Sequence, residues 1–364
     1  MRLKTKHSEI IFGDACADTL NSWVNTHHYS TVFVLTDTNT QTHCLPRFKS
    51  HVDFEFTMLQ MPAGEEHKHI STCVSLWESL SDLGADRKSL LINLGGGVVT
   101  DLGGFVACTF KRGIDFINIP TSLLAMVDAS VGGKTGIDLG ALKNQVGVIE
   151  EPKMVLVETD YLETLPEHEY RSGYAEMLKH GLIHEPEYFD TLSSFLSRQE
   201  ILPHIYHSVR VKAEVVNEDP YEHGLRKILN FGHTLGHAIE SHFLVTPGKT
   251  RLLHGEAIAI GMVLEAFLSA ELTGLPIDDA KRIKTVFGDI YPNVAFDATT
   301  ISEVIGLLTH DKKNENGNVL FVLLKTIGKP IWNQSVPDEL IQKSFDFYAY
   351  KIQSKKWNFL FVSL

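Results

Sequence analysis

The sequence predicts an α/β domain with a mainly parallel sheet, followed by a mostly helical domain. Short apolar, β-branched runs recur up to about residue 160 and leave room for crossover helices between them, as in parallel sheets. From about Thr164 the pattern changes to long helical periodicity punctuated by Gly and Pro. A chain of 364 residues suits two domains, which we place at 1–160 and 161–364.

Four of the apolar runs have the length and composition of buried strands. They are residues 31–37, 90–95, 114–120 and 154–158. In the second part, helical periodicity is clearest around 256–272, and the apolar run 319–324 is the main exception to it. We find no internal repeat and no low-complexity linker in this order of elements.

Composition limits the classes of protein and partner. A hydrophobic content of 43% with 21% charged residues is ordinary for a globular protein, and no apolar run reaches membrane-spanning length. The net charge of −12 would repel nucleic acid and anionic membrane surfaces, although a small anion could still bind where cations are concentrated. The four Cys lack CxxC spacing, and no secretory apolar segment follows the first residues. We therefore expect reduced thiols in a cytoplasmic protein.

A glycine cluster follows the predicted strand 90–95 and opens a predicted helix. Gly96 and Gly97 would let backbone N–H groups approach a phosphate, and a helix N-terminus favours its charge. Thr100 stands where the usual dinucleotide fingerprint has its third Gly, so a tight structural turn remains an alternative. Asp37, at the end of the first strand, fits either a ribose diol or a simple turn cap.

A second glycine-rich stretch carries cations. Residues 132–135 read Gly-Gly-Lys-Thr, but Asp128 stands where a phosphate-binding P-loop requires Gly, which excludes an NTPase of that type. We expect Lys134, Lys143 and Asn144 to sit on glycine-rich turns and to face an anion. Either lysine taken singly would also fit an ordinary solvated side chain.

Three separated fragments each place a metal-ligand side chain on or beside a predicted helix, namely Glu176, His233 and His254. One carboxylate and two imidazoles are what a catalytic zinc takes when it keeps a position open for substrate. Spacing alone leaves alternatives. Glu176 and Lys179 are three apart, which is more often a solvated ion pair, whereas His233 and His237 share a helix face and would both fit as ligands.

Together these fragments resemble the 3-dehydroquinate synthase family. The resemblance covers nearly the whole chain in the expected order. It is carried by residues 95–144, 173–179, 225–237, 253–256 and 311–313. Each fragment alone is unspecific, but their combination is highly specific.

The resemblance implies an enzyme of the shikimate pathway, which leads to aromatic amino acids. Its reaction would convert 3-deoxy-D-arabino-heptulosonate 7-phosphate to 3-dehydroquinate and phosphate, through transient oxidation by NAD, phosphate elimination, re-reduction and intramolecular aldol closure. The resemblance also implies a carbon–oxygen lyase and a homodimer, with NAD and a divalent metal, zinc or alternatively cobalt. The fold would be a Rossmann-like NAD-binding domain followed by a helical metal- and substrate-binding domain.

Carried over position by position, the resemblance makes Glu176, His233 and His254 the metal ligands. The implied NAD contacts are Asp37, Glu65, Lys68, Gly96, Gly97, Val98, Asp101, Thr121, Ser122, Lys134 and Lys143. The implied catalytic and substrate-binding residues are Arg112, Asp128, Lys134, Asn144, Lys179, Lys212, Glu222, Arg226, Asn230, His237 and Lys313, with Lys312 as the alternative to Lys313. Arg112 would reach the site of a neighbouring subunit. Composition alone, in contrast, would place Glu65 and Lys68 at an exposed helix start.

Three other functions share parts of this pattern. One is another sugar phosphate cyclase that uses NAD and a metal, and the second is a metal-dependent polyol or glycerol-phosphate dehydrogenase, which would release NADH. The third is an inactive nucleotide-binding protein. Lys212 and Arg226 favour a substrate with a carboxylate, because the planar fork of Arg binds such a group with two hydrogen bonds.

Overall fold

The computed structural model describes residues 1–140, 142–246, 250–308 and 319–350. The chain divides into two compact units. The first unit comprises Met1–His180 and Ser194–Arg226, and the second comprises Gly181–Ser193 and Lys227–Leu364. The single domain boundary that we expected at residue 160 stays a prediction. In the observed division, helical residues after 160, up to His180 and from Ser194 to Arg226, belong to the unit that contains the sheet.

The first unit is built on a seven-stranded sheet with the order β1-β2-β9-β6-β5-β3-β4. Its pairs are parallel apart from β1 with β2, and β7 and β8 form a separate antiparallel hairpin. The four strands predicted from sequence are confirmed as β3, β5, β6 and β9. The strand bounds are β1 Arg2–Lys4, β2 Glu9–Phe12, β3 Val32–Asp37, β4 Thr57–Met61, β5 Leu90–Gly95, β6 Asp115–Pro120, β7 Lys134–Leu139, β8 Leu142–Ile149 and β9 Met154–Val157.

Helices flank this sheet and make up most of the second unit. In chain order they are α1 Ala15–His27, α2 Thr38–His43, α3 Leu45–His51, α4 Ile70–Asp82, α5 Gly97–Thr109, α6 Glu167–Ile183, α7 Pro186–Leu192, α8 Leu202–Glu218, α9 His233–Val245, α10 His254–Leu272, α11 Ile277–Ile290, α12 Ala298–Leu307 and α13 Asp338–Ala349. The helical turns near the site are Glu65–His67, Phe110–Arg112, Ala125–Ala129 and Leu225–Asn230.

Close packing of α5 against β5 depends on a glycine. A Cβ atom at Gly103 would lie 2.0 Å from Oδ1 of Asn93, a distance at which the backbone or the asparagine would have to shift. Asn93 is buried and donates a hydrogen bond of 2.9 Å to Oδ1 of Asn118 on β6. The helix that follows the glycine cluster is therefore held directly on the two central strands.

The second unit is organised around α10. This helix is buried over most of its length and packs against α9, α11, α13 and the strand β10 (Leu320–Thr326). β10 pairs in antiparallel fashion with β11 (Lys329–Ser335), which confirms the late strand predicted from sequence. A helix that is apolar on all sides requires such a central position. Within the described ranges, no helix has the length and apolar character needed to cross a membrane.

All four cysteines are free thiols, as expected from their spacing. Cys16, Cys44 and Cys73 are buried, and Cys108 is half-buried. Burial raises the pKa of Cys16, Cys73 and Cys108 to about 12 and that of Cys44 to about 11. Because the thiolate is the reactive form, these groups should be inert in the native protein near neutral pH.

We predict that a disulfide reagent at pH 8 labels the native protein slowly and labels four thiols per chain after denaturation. The measurement is the absorbance of the released thiol with and without denaturant. Denatured protein treated first with a reducing agent serves as the control for total thiol. Rapid labelling of two or more native thiols would contradict the buried, protonated state.

Candidate active site

The carboxyl edge of the sheet carries the glycine cluster at a topological switch. β3 lies between β4 and β5, so the connection from β3 runs to one side, and the connection from β5 through α5 to β6 runs to the other. The register pairs Leu35 with Asn93, which brings Asp37 level with Gly95 at this edge. Crevices of this kind are where open α/β sheets bind nucleotides.

The glycine cluster itself forms the start of α5. Gly96 precedes the helix and Gly97 is its first residue, and both are half-buried together with Val98. The backbone N–H of Thr121, after β6, donates to the carbonyl oxygen of Gly95 at 3.0 Å. The predicted strand, turn and helix are therefore present, and the N-terminus of α5 lies at the switch edge.

Asp37 and Ser122 both make local capping interactions. Oδ1 of Asp37 accepts hydrogen bonds from the backbone N–H groups of Asn39 at 2.9 Å and Thr40 at 2.7 Å at the start of α2. Oγ of Ser122 accepts one from the backbone N–H of Ala125 at 3.3 Å. The turn-cap alternative for Asp37 is therefore observed, and its role towards a ribose stays a prediction.

Lys68 is buried, which the composition of its segment did not indicate. Its ammonium group donates hydrogen bonds of 2.6 Å to Oδ2 of Asp101 and 2.6 Å to Oδ1 of Asn144. Burial alone would lower the pKa of Lys68, but the carboxylates of Asp101 and Glu65 outweigh it and hold that pKa above its ordinary value. Glu65 also lies 3.6 Å from Nζ of Lys143. Four implied cofactor residues and Asn144 therefore share one charged network.

The β7–β8 hairpin holds two further predicted residues. Asn144 has a left-handed backbone with φ of 50°, and its N–H donates to Oδ1 of Asp138 at 2.6 Å. Lys134, the first residue of β7, is half-exposed and forms an ion pair with the carboxylate of Glu222. Lys134, Lys143 and Asn144 therefore lie in the strands of this hairpin rather than on the glycine-rich turns expected from sequence, and their contact with an anion stays a prediction.

A buried set of charges joins α6, α8 and the turn Ala125–Ala129. Nζ of Lys212 on α8 donates hydrogen bonds of 2.5 Å to Oδ1 of Asp128 and 2.6 Å to its backbone oxygen. On α6, the ammonium of Lys179 pairs with the carboxylate of Glu176, and both side chains are almost fully buried. The expectation from spacing that this was a solvated surface pair is therefore wrong.

The charge balance of this set determines its protonation. Burial by itself would raise the pKa of Asp128, but the ammonium groups of Lys212 and Lys179 outweigh it and hold that pKa well below its usual range. Asp128 therefore stays a carboxylate throughout the neutral range. The two carboxylates and two ammonium groups nearly cancel, which allows cations to be buried in this unit.

His180, which sequence reasoning did not select, belongs to the same set. Its Nδ1 lies 2.7 Å from Oγ of Ser208 on α8, and among the described residues its Nε2 has no hydrogen-bond partner. One ring nitrogen lies within 4.8 Å of a carboxylate oxygen of Asp128 and of Glu176. Burial lowers the pKa of His180 to about 3, so the ring is neutral. Its position four residues after Glu176 was the available signal.

Arg226 connects two loops of the first unit. Its guanidinium donates hydrogen bonds of 2.6 Å to the backbone oxygen of Pro220 and 3.1 Å to that of Gly132, and the residue is only 3% exposed. The carboxylate of Asp219 accepts the backbone N–H of Arg226 at 3.0 Å. Arg226 is therefore fixed beside the glycine-rich stretch that carries Lys134, while its predicted contact with a substrate carboxylate is untested.

Of the three remaining predicted site residues, two are described by the structure and one is not. Asn230 ends the turn Leu225–Asn230 and is half-buried. Arg112 is exposed and has a left-handed backbone with φ of 71° in the turn after α5. Lys313 and its alternative Lys312 lie outside the described residues.

In the second unit, three histidines gather at the starts of α9 and α10. His233 and His254 are the first residues of these helices, and their ring centroids lie 5.6 Å apart. The ring of His237, one turn into α9, lies 5.2 Å from that of His233 and 5.8 Å from that of His254. Two fragments separated in sequence are thereby brought together as predicted.

The tautomers of these histidines fit a metal site. Nδ1 of His233 lies 3.1 Å from the backbone oxygen of Phe231, and Nδ1 of His254 lies 3.2 Å from Oε2 of Glu240. Both partners are acceptors, so Nδ1 is the donor in each contact, and Nε2 is the ring nitrogen that a metal would use. Metal-binding histidines are usually oriented in this way by carbonyl or carboxylate groups. Glu240, on α9, was also missed by sequence reasoning.

Comparison with known proteins identifies the family. The family models described as 3-dehydroquinate synthase N-terminal and C-terminal match residues 58–172 and 173–314. The 3-dehydroquinate synthase of Parabacteroides distasonis is 44% identical, over 90% of this chain and 94% of that protein. The enzyme of the same name from Solibacter usitatus is 41% identical, over 85% and 88%. The chain belongs to the 3-dehydroquinate synthase family.

Solved structures agree with this fold. A 2-deoxy-scyllo-inosose synthase complexed with carbaglucose-6-phosphate, NAD+ and Co2+ aligns with a TM-score of 0.80 and 26% identity, over 95% of this chain and 99% of that one. The 2-epi-5-epi-valiolone synthase of Streptomyces hygroscopicus, with NAD+ and Zn2+ bound, aligns with a TM-score of 0.84 and 25% identity, over 95% and 98%. An iron-containing alcohol dehydrogenase of Corynebacterium glutamicum, 14% identical with a TM-score of 0.61 over 96% of each chain, shares the fold alone.

We predict that Lys212→Met lowers the free energy of unfolding by about 2 kcal/mol, because it leaves the mostly buried carboxylate of Asp128 without its main partner. Lys134→Met is the matched control, since Lys134 pairs with Glu222 but is half-exposed, and its loss should cost less than about 1 kcal/mol. Chemical denaturation of both variants measures the difference. Equal losses in the two variants would contradict the importance of the buried pair.

Proposed function

We propose that the chain is a 3-dehydroquinate synthase, which converts 3-deoxy-D-arabino-heptulosonate 7-phosphate to 3-dehydroquinate and phosphate. The observation that carries this proposal is the family match over both halves of the chain, at residues 58–172 and 173–314. The reaction would regenerate its NAD in each turnover, and the enzyme would be a carbon–oxygen lyase of the shikimate pathway. We also propose that it acts in the cytoplasm as a homodimer, in which Arg112 serves the neighbouring subunit.

We propose that NAD lies at the switch edge of the sheet. Support comes from the N-terminus of α5, which offers backbone N–H groups to a pyrophosphate, and from Asp37 at the end of the neighbouring strand. The proposed contacts are Asp37, Glu65, Lys68, Gly96, Gly97, Val98, Asp101, Thr121, Ser122, Lys134 and Lys143. The buried Lys68 would hold the side chains of Asp101 and Asn144 in position whether or not NAD is bound.

We propose that Glu176, His233 and His254 bind a divalent metal, zinc or cobalt. The protonated Nδ1 atoms of both histidines support Nε2 as the ligand atom, and Glu176 supplies the carboxylate. When bound, the metal and NAD supply polarisation of a substrate hydroxyl and transient acceptance of hydride. His237 is assigned to the substrate, so that a coordination position stays open.

The chain's own task is to hold an anion of about three charges, carboxylate and phosphate together, at neutral pH. A protein of net charge −12 can do this only where cations are focused. The proposed substrate residues are Arg112, Asp128, Lys134, Asn144, Lys179, Lys212, Glu222, Arg226, Asn230, His237 and Lys313. Among them, Lys212 pairs with the carboxylate of Asp128, and Lys134 pairs with that of Glu222. We assign Arg226 to the substrate carboxylate.

We predict that the protein, supplied with substoichiometric NAD, zinc and the heptulosonate phosphate, releases one phosphate per substrate without accumulating NADH. A phosphate assay and the absorbance of NADH measure the two quantities in one sample. NADH that accumulates in step with substrate use would indicate a dehydrogenase instead. A panel that includes hexose and heptulose phosphates without a carboxylate distinguishes other cyclases, which would turn those over in preference.

We predict different losses for two neighbouring histidines. His233→Ala should remove a ligand and leave the purified protein with little bound zinc, because two ligands hold zinc weakly. His237→Ala should keep near-stoichiometric zinc but lower kcat/KM for phosphate release by tenfold or more. Elemental analysis after dialysis, with circular dichroism to confirm folding, makes the comparison. Loss of zinc in both variants would show that His237 is a ligand, as helix spacing alone suggests.

A further inference from the structure

Glu265 is a fully buried carboxylate on α10, outside every set of residues assigned so far. Its Oε2 accepts a hydrogen bond of 2.6 Å from the backbone N–H of Gly232, and its Oε1 accepts one of 3.3 Å from that of Leu235. These two amides flank His233 at the start of α9. A buried carboxylate is costly unless charge-assisted bonds satisfy it, so its presence here requires an explanation.

The start of α9 cannot cap itself. The residue before it, Gly232, has no side chain and a left-handed backbone with φ of 81°, so the first N–H groups of the helix need acceptors from elsewhere. Glu265 on α10 accepts two of the amides at this end, those of Gly232 and Leu235, and its carboxylate also lies at the positive end of the α9 dipole. The cap that most helices carry in their own sequence is provided here by a second helix.

Close packing fixes the same junction. A Cβ atom at Gly261, one turn before Glu265 on α10, would lie 2.0 Å from the backbone oxygen of Gly232. A Cβ atom at Gly232 would lie 2.3 Å from Cγ of Met262. The face of α10 with Gly261 and Glu265 therefore meets the backbone just before His233, leaving little room for α9 to shift.

Each of the two helices provides a carboxylate that contacts the start of the other helix, where a histidine lies. Glu240 on α9 accepts Nδ1–H of His254, the first residue of α10, while Glu265 on α10 binds the backbone on both sides of His233, the first residue of α9. The distance of 5.6 Å between these two rings depends on where the two helices start. A change at Glu265 would alter that distance without touching either ring.

We propose that Glu265 is a positioning residue for metal binding, which sets the start of α9 and so holds His233 at the right distance from His254. This inference rests on the proposed function, because it assumes that the two histidines share a metal. The expected consequence is a loss of metal affinity of the size found when groups that orient metal ligands are removed, about 10- to 100-fold.

The test compares Glu265→Gln and Glu265→Ala with the control Glu271→Gln, which removes an exposed charge from the same helix. Gln keeps one carbonyl oxygen for an amide but cannot accept from the second, so we expect zinc affinity to fall about tenfold. Ala removes both acceptors and should lower it towards 100-fold, and the control should stay within about twofold. Competition with a chelator measures affinity, and the visible spectrum of the cobalt-loaded protein reports ligand geometry.

A purely stabilising role would lower the Tm of the metal-free variants and leave the cobalt spectrum and metal affinity unchanged, which would overturn the inference. If Glu265→Ala does not fold, the isosteric Gln variant carries the comparison. A wild-type protein that binds no metal overturns the inference as well. Phosphate release is measured separately: wild-type protein that binds metal but does not convert the heptulosonate phosphate refutes the proposed function and leaves the metal comparison valid.

Discussion

Buried ion pairing is the constraint on which the first unit's candidate site depends. Lys212 and Lys179 are withdrawn from water, and each is held beside a carboxylate, Asp128 or Glu176 respectively. Each carboxylate offsets part of the cost of burying its ammonium group, since an isolated buried charge is far more costly than a paired one. The Lys212–Asp128 pair joins α8 to the turn Ala125–Ala129, and the contact of His180 with Ser208 joins α6 to α8.

The fold was predictable where a single segment contains the information. The strands β3, β5, β6 and β9 are continuous apolar runs because both faces of a parallel sheet are covered, and their bounds were predicted to within a residue or two. The strands β7 and β8 were not predicted, because glycine and polar residues interrupt their apolar pattern and most of β8 is exposed. The glycine cluster signalled both a turn and a phosphate site, and sequence could not separate these.

Burial of charge was the least predictable feature. Lys68 looks like an exposed lysine because its partners, Asp101 and Asn144, lie 33 and 76 residues away. Glu176 with Lys179 has the spacing of an ordinary surface pair, and only tertiary packing makes it buried. Glu265 did carry a local signal, since it is the one charged residue in the otherwise apolar stretch 257–270 of its helix. A charge in such a run must find partners when the helix is buried.

In both units, buried carboxylates position the groups that carry the proposed chemistry. In the first, carboxylates hold ammonium groups, and in the second, the carboxylates of Glu240 and Glu265 hold an imidazole and a helix start. The positions of these functional side chains therefore depend largely on residues that are distant in sequence. An acidic chain can then keep ammonium groups and imidazoles at defined positions, because some of its carboxylates are used inside the protein to orient them.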